Sequence, residues 1–141
     1  MRIPLYPRFM VAGGLMTLLL VLSVCTVQAQ QSRLFELRIY TAHDGKLGEL
    51  NKRFREHTSA LFVKHGMTLI GYWTPSEGAE AENTLIYILA YPNMGVREKS
   101  WQDFRDDPEW QRAARESRRN GRLVEKVENK FLNATDYSPI Q

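Results

Sequence analysis

A short alternating segment, residues 35–40, constrains the fold of this chain more than any other part of it. Its sequence is Phe-Glu-Leu-Arg-Ile-Tyr, and a period of two places alternate residues on opposite faces of a β-sheet. We expect helices to pack on the apolar face, which carries Phe35, Leu37 and Ile39. The other face carries Glu36, Arg38 and Tyr40. A carboxylate, a guanidinium and a phenol suit neither an apolar core nor an ordinary solvated surface, so we predict that they line a partly polar interior.

The first 29 residues have the features of a signal peptide. Two arginines, Arg2 and Arg8, precede an uncharged apolar run at residues 9–24, and Val27-Gln28-Ala29 offers a cleavage site before Gln30. Spanning a bilayer takes about 20 apolar residues, so an uncleaved anchor is the weaker alternative. The prediction is a signal peptide at 1–29 and an exported domain at 30–141, periplasmic or secreted, with no stable membrane anchor after cleavage.

Charge and cysteine content exclude several classes of protein. The chain has 19 basic and 16 acidic residues, and the leader holds two of the basic ones, so 17 against 16 leaves a net charge of +1. A nearly neutral domain does not predict nucleic-acid binding, which depends on clustered positive charge. The single cysteine, Cys25, lies in the leader, so we expect no disulfide and no thiolate metal site in the domain.

The pattern of the remaining residues predicts one α+β domain. In order, we expect a strand at residues 34–42, a helix at 46–64, strands at 67–74 and 83–91, a short helix at 96–105, a helix at 108–120 and a strand at 123–133. Asp44-Gly45 is expected to turn the chain and cap the first helix, Gly66 to end it, and Asp107-Pro108 to begin the last helix. Right-handed crossovers then give a ferredoxin-like βαββαβ fold, a four-stranded antiparallel sheet with helices on one face.

Such a fold leaves one sheet face uncovered. We expect this face to carry Glu36, Arg38 and Tyr40 beside Leu85, Tyr87, Leu89 and Tyr91 of the third strand, and Trp73. Burial of a few hundred Å² of apolar surface stabilises by several kcal/mol at about 25 cal/mol per Å². A second copy of the chain is the simplest cover, and we therefore predict a homodimer, a dimeric α/β barrel with a cavity between the two sheets.

Several short motifs in register resemble the NIPSNAP family. They are residues 35–41, Gly45-Lys46-Leu47, Gly71-Tyr72-Trp73-Thr74, residues 83–91, Asp107-Pro108-Glu109-Trp110 and Tyr137-Ser138-Pro139. The resemblance covers residues 33–140. It implies a dimeric α/β barrel related in fold to cofactor-free monooxygenases, and it implies no particular reaction. The family often places His and Trp where this chain has Tyr87 and Leu89, so chemistry that needs that histidine is not expected here.

Four residues are candidates for catalysis. In the catalytic hypothesis, Arg38 and Tyr87 orient an oxyanion, and Glu36 or His43 moves a proton, with the pKa of Glu36 raised by burial. The alternative is that Glu36 and Arg38 belong to a structural ion-pair network across the dimer interface, where such pairs set register.

A pocket for a flat apolar or aromatic ligand is the second site hypothesis. We expect it to be lined by Glu36, Arg38, Tyr40, Trp73, Tyr87 and Tyr91; the alternative is that these aromatics only fill the barrel. His57 lies on the apolar stripe of the first helix and is predicted to be a hydrogen-bonded core residue, and His65 lies at the end of that helix. The spacing of the histidines does not predict a metal site, and no cofactor is predicted, although a haem bound through one histidine stays open.

The functional hypotheses follow in order. The first is an exported, dimeric NIPSNAP-like protein that binds a small ligand. The second is a cofactor-independent monooxygenase or isomerase acting on a small aromatic or carbonyl compound. The third is an envelope scaffold that uses a basic stripe, predicted to be solvated and made of Arg112, Arg115, Arg118, Arg119 and Arg122. A Gly-rich phosphate loop and a nucleophile elbow are missing from the sequence, so nucleotide-binding and hydrolase classes are not predicted.

Overall fold

The computed structural model describes residues 33–141, and the predicted signal peptide lies outside the described residues. The strands are β1 (Leu34–Ala42), β2 (Thr68–Trp73), β3 (Thr84–Tyr91) and β4 (Val124–Asn133). The helices are α1 (Leu47–Arg53), α2 (Ser59–Lys64), α3 (Met94–Asp106) and α4 (Pro108–Glu116). The strands form one antiparallel sheet in the order β2-β3-β1-β4. The predicted ferredoxin-like βαββαβ fold is confirmed.

Helices α1 and α2 form one continuous helical segment interrupted by a π-helical turn at Phe54–Thr58. At this turn the Thr58 hydroxyl donates to the Arg53 carbonyl at 3.3 Å. The segment ends at Gly66, whose φ of 78° is the left-handed conformation expected after a helix. The predicted cap by Asp44 is wrong: Lys46 occupies the N-cap position, and no side chain caps the helix there.

Helix α4 begins as the sequence predicts and ends earlier. The Asp107 side chain caps it by accepting from the Glu109 backbone N–H at 2.7 Å, with Pro108 in the first turn. The helix stops at Glu116 rather than at residue 120. The reason is competition for one carbonyl, because the Ser117 hydroxyl and Arg118 Nε both donate to Ala114 O.

The helices cover the opposite sheet face from the one predicted. Glu36, Tyr87 and Tyr91 are fully buried beneath the helices, whereas Leu37 and Ile39 on the other face are only partly buried and Phe35 alone of that set is buried. The covered face of β3 carries two large phenol rings, and these fill the space beneath the aromatic side chains of the helices, Phe54, Phe62, Trp101 and Phe104. Packing of large rings against large rings therefore selects the covered face, even though that face also holds the charged groups.

We call the other side of the sheet the helix-free face. Its apolar residues are Phe35, Leu37, Ile39, Ile70, Trp73, Ile86, Ile88 and Leu132. The predicted position of Trp73 beside Tyr87 is wrong, because an irregularity between Leu69 and Gly71 pairs Tyr72 with Tyr87. The Trp73 indole lies over Gly71, where a Cβ would come within 2.6 Å of the ring, and it is 49% exposed. Trp73 therefore belongs to the helix-free face.

Candidate functional site

The centre of the covered face is the Glu36 carboxylate on β1, which is fully buried. Arg97 of α3 approaches it with two nitrogens, Nε at 3.0 Å and Nη2 at 2.6 Å. Arg38 Nη1 donates at 2.7 Å, and the Tyr91 hydroxyl and the Trp101 indole N–H each donate at 3.0 Å. All of these residues come from one chain, so the network is an intramolecular one.

This environment fixes the charge of Glu36. Burial raises its pKa, but hydrogen bonds from Arg97 and Trp101 and the charge of Arg38 outweigh burial and lower the pKa to about 2. The predicted raised pKa is therefore wrong, and Glu36 is ionised and fully occupied as an acceptor. The alternative hypothesis, an ion-pair network of Glu36 and Arg38, describes these contacts correctly. Its predicted location is wrong, because the network lies beneath the helices rather than on the helix-free face.

Arg38 and Tyr87 each leave one buried polar atom without a partner within residues 33–141. Arg38 also contacts the Tyr40 hydroxyl at 3.3 Å, and its guanidinium lies 4.4 Å from the centre of the Trp101 ring, yet its Nε has no acceptor. The Tyr87 hydroxyl has none either. Burial raises the pKa of Tyr87 well above its ordinary value, so the phenol keeps its proton and remains a donor.

Arg53, where α1 meets the π-helical turn, is the residue that the sequence analysis missed. It is only 8% exposed, and no carboxylate in the described part of the chain forms an ion pair with it. Its Nη1 lies 3.4 Å from Ser117 Oγ, its guanidinium lies 5.3 Å from the centre of the Trp110 ring, and its Nε has no partner. Burial and the charge of Arg118 both lower its pKa.

A cavity of about 320 Å³ lies between β1 and the helices, and we call it the inner cavity. Its aromatic walls come from Tyr40, Phe54, Phe62, Trp101, Phe104 and Trp110, and the arginines that line it are Arg38, Arg53, Arg97 and Arg105. A second cavity of about 360 Å³, the outer cavity, shares Tyr40, Arg53 and Trp110 with it. Arg53 therefore lies where the two cavities meet.

Comparison with known families identifies the chain. Residues 35–139 match the family model described as NIPSNAP. The chain belongs to the NIPSNAP family. The matched range begins at the second residue of β1, runs past the end of β4 and includes every residue of the inner cavity. A comparison with curated proteins finds no match.

Solved structures share the fold of this NIPSNAP domain. A NIPSNAP family protein from Agrobacterium tumefaciens is 29% identical, with a TM-score of 0.67 over 77% of this chain and 99% of that one. A NIPSNAP-like domain protein from Burkholderia xenovorans is 24% identical, with a TM-score of 0.67 over 77% of this chain and 90% of that one. SnoaB, a cofactor-independent oxygenase from Streptomyces nogalater, is 16% identical, with a TM-score of 0.52 over 77% of this chain and 98% of that one.

The predicted site residues of this NIPSNAP domain separate into three locations. Glu36, Arg38, Tyr40, Tyr87 and Tyr91 come together on the covered face, and only Arg38 and Tyr40 of these line the inner cavity. Trp73 lies on the helix-free face. The remaining candidate, His43, lies at the turn after β1, where its backbone N–H donates to the Leu123 carbonyl at 3.0 Å, and it does not line either cavity.

The other two histidines, His57 and His65, have polar neighbours. His57 is not a core residue as predicted: it is partly exposed in a polar groove beside Glu49, Glu56 and Glu116. His65 Nε2 lies 2.7 Å from Asp107 Oδ2, joining the end of α2 to the start of α4. Within residues 33–141, no group of three His, Cys, Asp or Glu side chains is arranged to hold a metal ion.

The basic stripe that begins on α4 is exposed along its whole length, as predicted. Arg112, Arg115 and Arg119 line neither cavity, whereas the equally exposed Arg118 and Arg122 line the outer cavity together with the buried Arg53. The sequence carried a signal for Arg53, because it lies three residues after Leu50 on the apolar stripe of the first helix.

No helix within residues 33–141 has the length and apolar character needed to cross a membrane.

Proposed function

We propose that this NIPSNAP protein binds a small organic acid with an aromatic body in the inner cavity. The observation that carries the proposal is the buried, unpaired guanidinium of Arg53. Burial of a charge without a partner costs several kcal/mol, and proteins normally offset that cost with a counter-ion. A ligand carboxylate at the junction of the two cavities would supply this counter-ion through charge-assisted hydrogen bonds to Arg53.

The walls of the inner cavity support an aromatic ligand body. Phe62, Trp101 and Phe104 form one cluster of rings, with centroids 4.8 to 5.7 Å apart, and Trp110 lies 4.4 Å from Phe104. Aromatic rings prefer edge-to-face or offset contacts at such separations, so a further planar ring is stabilised among them. A volume of about 320 Å³ is at the lower end of the range for small-molecule pockets.

A cofactor-independent monooxygenase or isomerase acting on a small aromatic or carbonyl compound is the second candidate. The unpartnered Nε of Arg38, which lines the inner cavity, favours it, because a preformed donor stabilises a developing oxyanion. The fold is also like that of SnoaB, a cofactor-independent oxygenase. The state of Glu36 argues against it, because a carboxylate that accepts six hydrogen bonds and has a pKa of about 2 is a weak proton acceptor.

We propose further that a second copy of the chain covers the helix-free face, giving a homodimer. Helices of the same chain already cover the other face, and the helix-free face keeps partly exposed aliphatic residues such as Leu37 and Ile88 together with the exposed Trp73. Contiguous apolar surface of this kind is typical of an interface. Export through the leader at 1–29 likewise remains our proposal, and it would place the protein in the periplasm or outside the cell.

The ligand proposal is tested with the tryptophans of the inner cavity as reporters. We expect benzoate and 2-naphthoate to change the fluorescence of the purified protein saturably, and the neutral analogue benzamide to bind at least about ten-fold more weakly, a difference of about 1.4 kcal/mol. Arg53→Met should weaken the carboxylates by a similar factor, whereas Arg112→Met, on the exposed side of α4, should leave them unchanged. Equal affinity for acid and amide, or an unchanged Arg53→Met variant, would contradict the proposal.

A further inference from the structure

We propose that the ligand carries a compact dianionic group, either two adjacent carboxylates or a phosphate monoester, held in the outer cavity by Arg53, Arg118 and Arg122. This inference rests on the proposed function, because it assigns the charge and the orientation of the acid bound beside Arg53. The aromatic body of the ligand would occupy the inner cavity, and its charged end would extend past Trp110 into the outer one.

The outer cavity concentrates positive charge from two parts of the chain. Arg53 comes from the first helical segment, and Arg118 and Arg122 come from the turn that follows α4. Arg118 is positioned by the bond from its Nε to Ala114 O at 2.7 Å, and its terminal nitrogens make no hydrogen bond within residues 33–141. Helix α4 ends early because of this same bond, so the local structure that shortens the helix also directs an arginine to the cavity.

The charges in the outer cavity are not balanced. Three guanidinium groups line it, the buried one of Arg53 and the exposed ones of Arg118 and Arg122, against the one carboxylate of the exposed Glu125. None of the three arginines forms an ion pair in the described part of the chain. The positive charge of Arg118 is close enough to act on Arg53, lowering the pKa of that buried group. Three arginines against Glu125 leave two positive charges in the lining, so a single negative charge beside Arg53 would leave one uncompensated and a dianion would balance both.

The shape of the two cavities agrees with a ligand that has two chemically different ends. They have similar volumes, about 320 and 360 Å³, and meet at Tyr40, Arg53 and Trp110. Six aromatic side chains line the inner cavity, and three arginines line the outer one. A ring in one and an anionic group in the other would be joined across Arg53, the only arginine that lines both of these cavities.

The experiment compares ligands that share a ring and differ in charge. Benzoate, phthalate and phenyl phosphate are titrated by calorimetry into the purified protein and into two variants of equal charge, Arg118→Gln/Arg122→Gln and the control Arg112→Gln/Arg115→Gln. We expect at least one of the two dianions, phthalate or phenyl phosphate, to bind more tightly than benzoate by a factor of about ten or more. The Arg118→Gln/Arg122→Gln variant should lose that advantage while its affinity for benzoate stays within about two-fold. The control variant should behave as the unaltered protein does.

The outcomes separate this inference from the proposed function. The dianion inference is wrong, while the proposed function stands, if benzoate and the dianions bind with equal affinity. The same holds if Arg118→Gln/Arg122→Gln lowers the affinities for benzoate and for the dianions by the same factor. If none of the three ligands binds, the proposed function itself is wrong. Preference for phenyl phosphate over phthalate would assign the outer cavity to a phosphate group, and the reverse preference would assign it to a dicarboxylate. Matching thermal unfolding of all variants shows that each is folded.

Discussion

The two faces of the sheet are formed by the same four strands and differ in nearly every chemical property. The covered face holds an ionised carboxylate, buried arginines and two cavities beneath the helices, whereas the helix-free face holds aliphatic side chains, one exposed indole and a row of alternating charges on β4, Lys126, Glu128 and Lys130. On the covered face the Glu36 carboxylate has its own partners, whereas the guanidinium of Arg53 has no carboxylate partner in the described part of the chain. On the helix-free face Leu37, Ile39, Ile86 and Ile88 are only partly buried and Trp73 is exposed within residues 33–141. The first arrangement suits ligand recognition, and the second suits assembly.

Removal of the charge at the centre of the covered face should have the largest effect. Glu36→Gln keeps the shape of the side chain but leaves Arg38 and Arg97 without their shared counter-ion, and breaking such a buried pair destabilises by about 3–5 kcal/mol. The measurement is the free energy of unfolding in urea. Glu128→Gln, which removes a carboxylate from the helix-free side of β4, is the matched control and should cost less than about 1 kcal/mol. Similar losses in both variants would show that the covered network does not stabilise the fold.

Acid should weaken the same network without any mutation. The pKa of Glu36 is about 2 in the folded protein against an ordinary value of 4.5, so its contribution to stability is fully present above pH 4.5 and is lost as the pH falls toward 2. A shift of this size corresponds to on the order of 3 kcal/mol. Urea unfolding at several pH values, compared between the unaltered protein and Glu36→Gln, isolates this group, because Asp107, whose pKa is lowered by Lys64 and His65, contributes equally to both. A pH-independent difference would contradict the prediction.

What could be predicted from the sequence depends on how local the cause is. The alternation in β1, the turn at Gly66 and the cap by Asp107 each depend on a few neighbouring residues, and the structure confirms all three. The choice of covered face does not. Alternation separates Glu36 from Leu37, but which set is buried depends on the volumes of rings that come from distant helices.

The candidate site shows the same limit. Arg38 and Tyr40 could be named because their strand pattern is unusual, but Arg97 and Arg53 could not be connected to them, since they approach from separate helices. The pKa of Glu36 was predicted in the wrong direction for this reason: burial was evident from the strand, whereas the donors from α3 were not. Tertiary hydrogen bonding outweighed a correct inference about desolvation.

The helix-free face gives the prediction that most directly separates assembly from ligand binding. Ile88 lies at its centre, paired with Leu37 of β1 on one side and Gly71 of β2 on the other. Ile88→Lys would place a charge in the proposed interface, and we expect the dimer dissociation constant to rise at least about a hundred-fold, or about 2.7 kcal/mol, in analytical ultracentrifugation at micromolar concentration. Val63→Lys, at an exposed position on α2, is the matched control and should leave the dimer intact.

Because Ile88 lies on the opposite side of the sheet from both cavities, Ile88→Lys should also retain benzoate binding within about two-fold. A monomeric unaltered protein would remove the proposed dimer, and an Ile88→Lys variant that stays dimeric would move the interface to another surface. If Ile88→Lys loses benzoate binding together with the dimer, the two faces are coupled through the sheet. The ligand site and the interface would then depend on each other, although they lie on opposite faces.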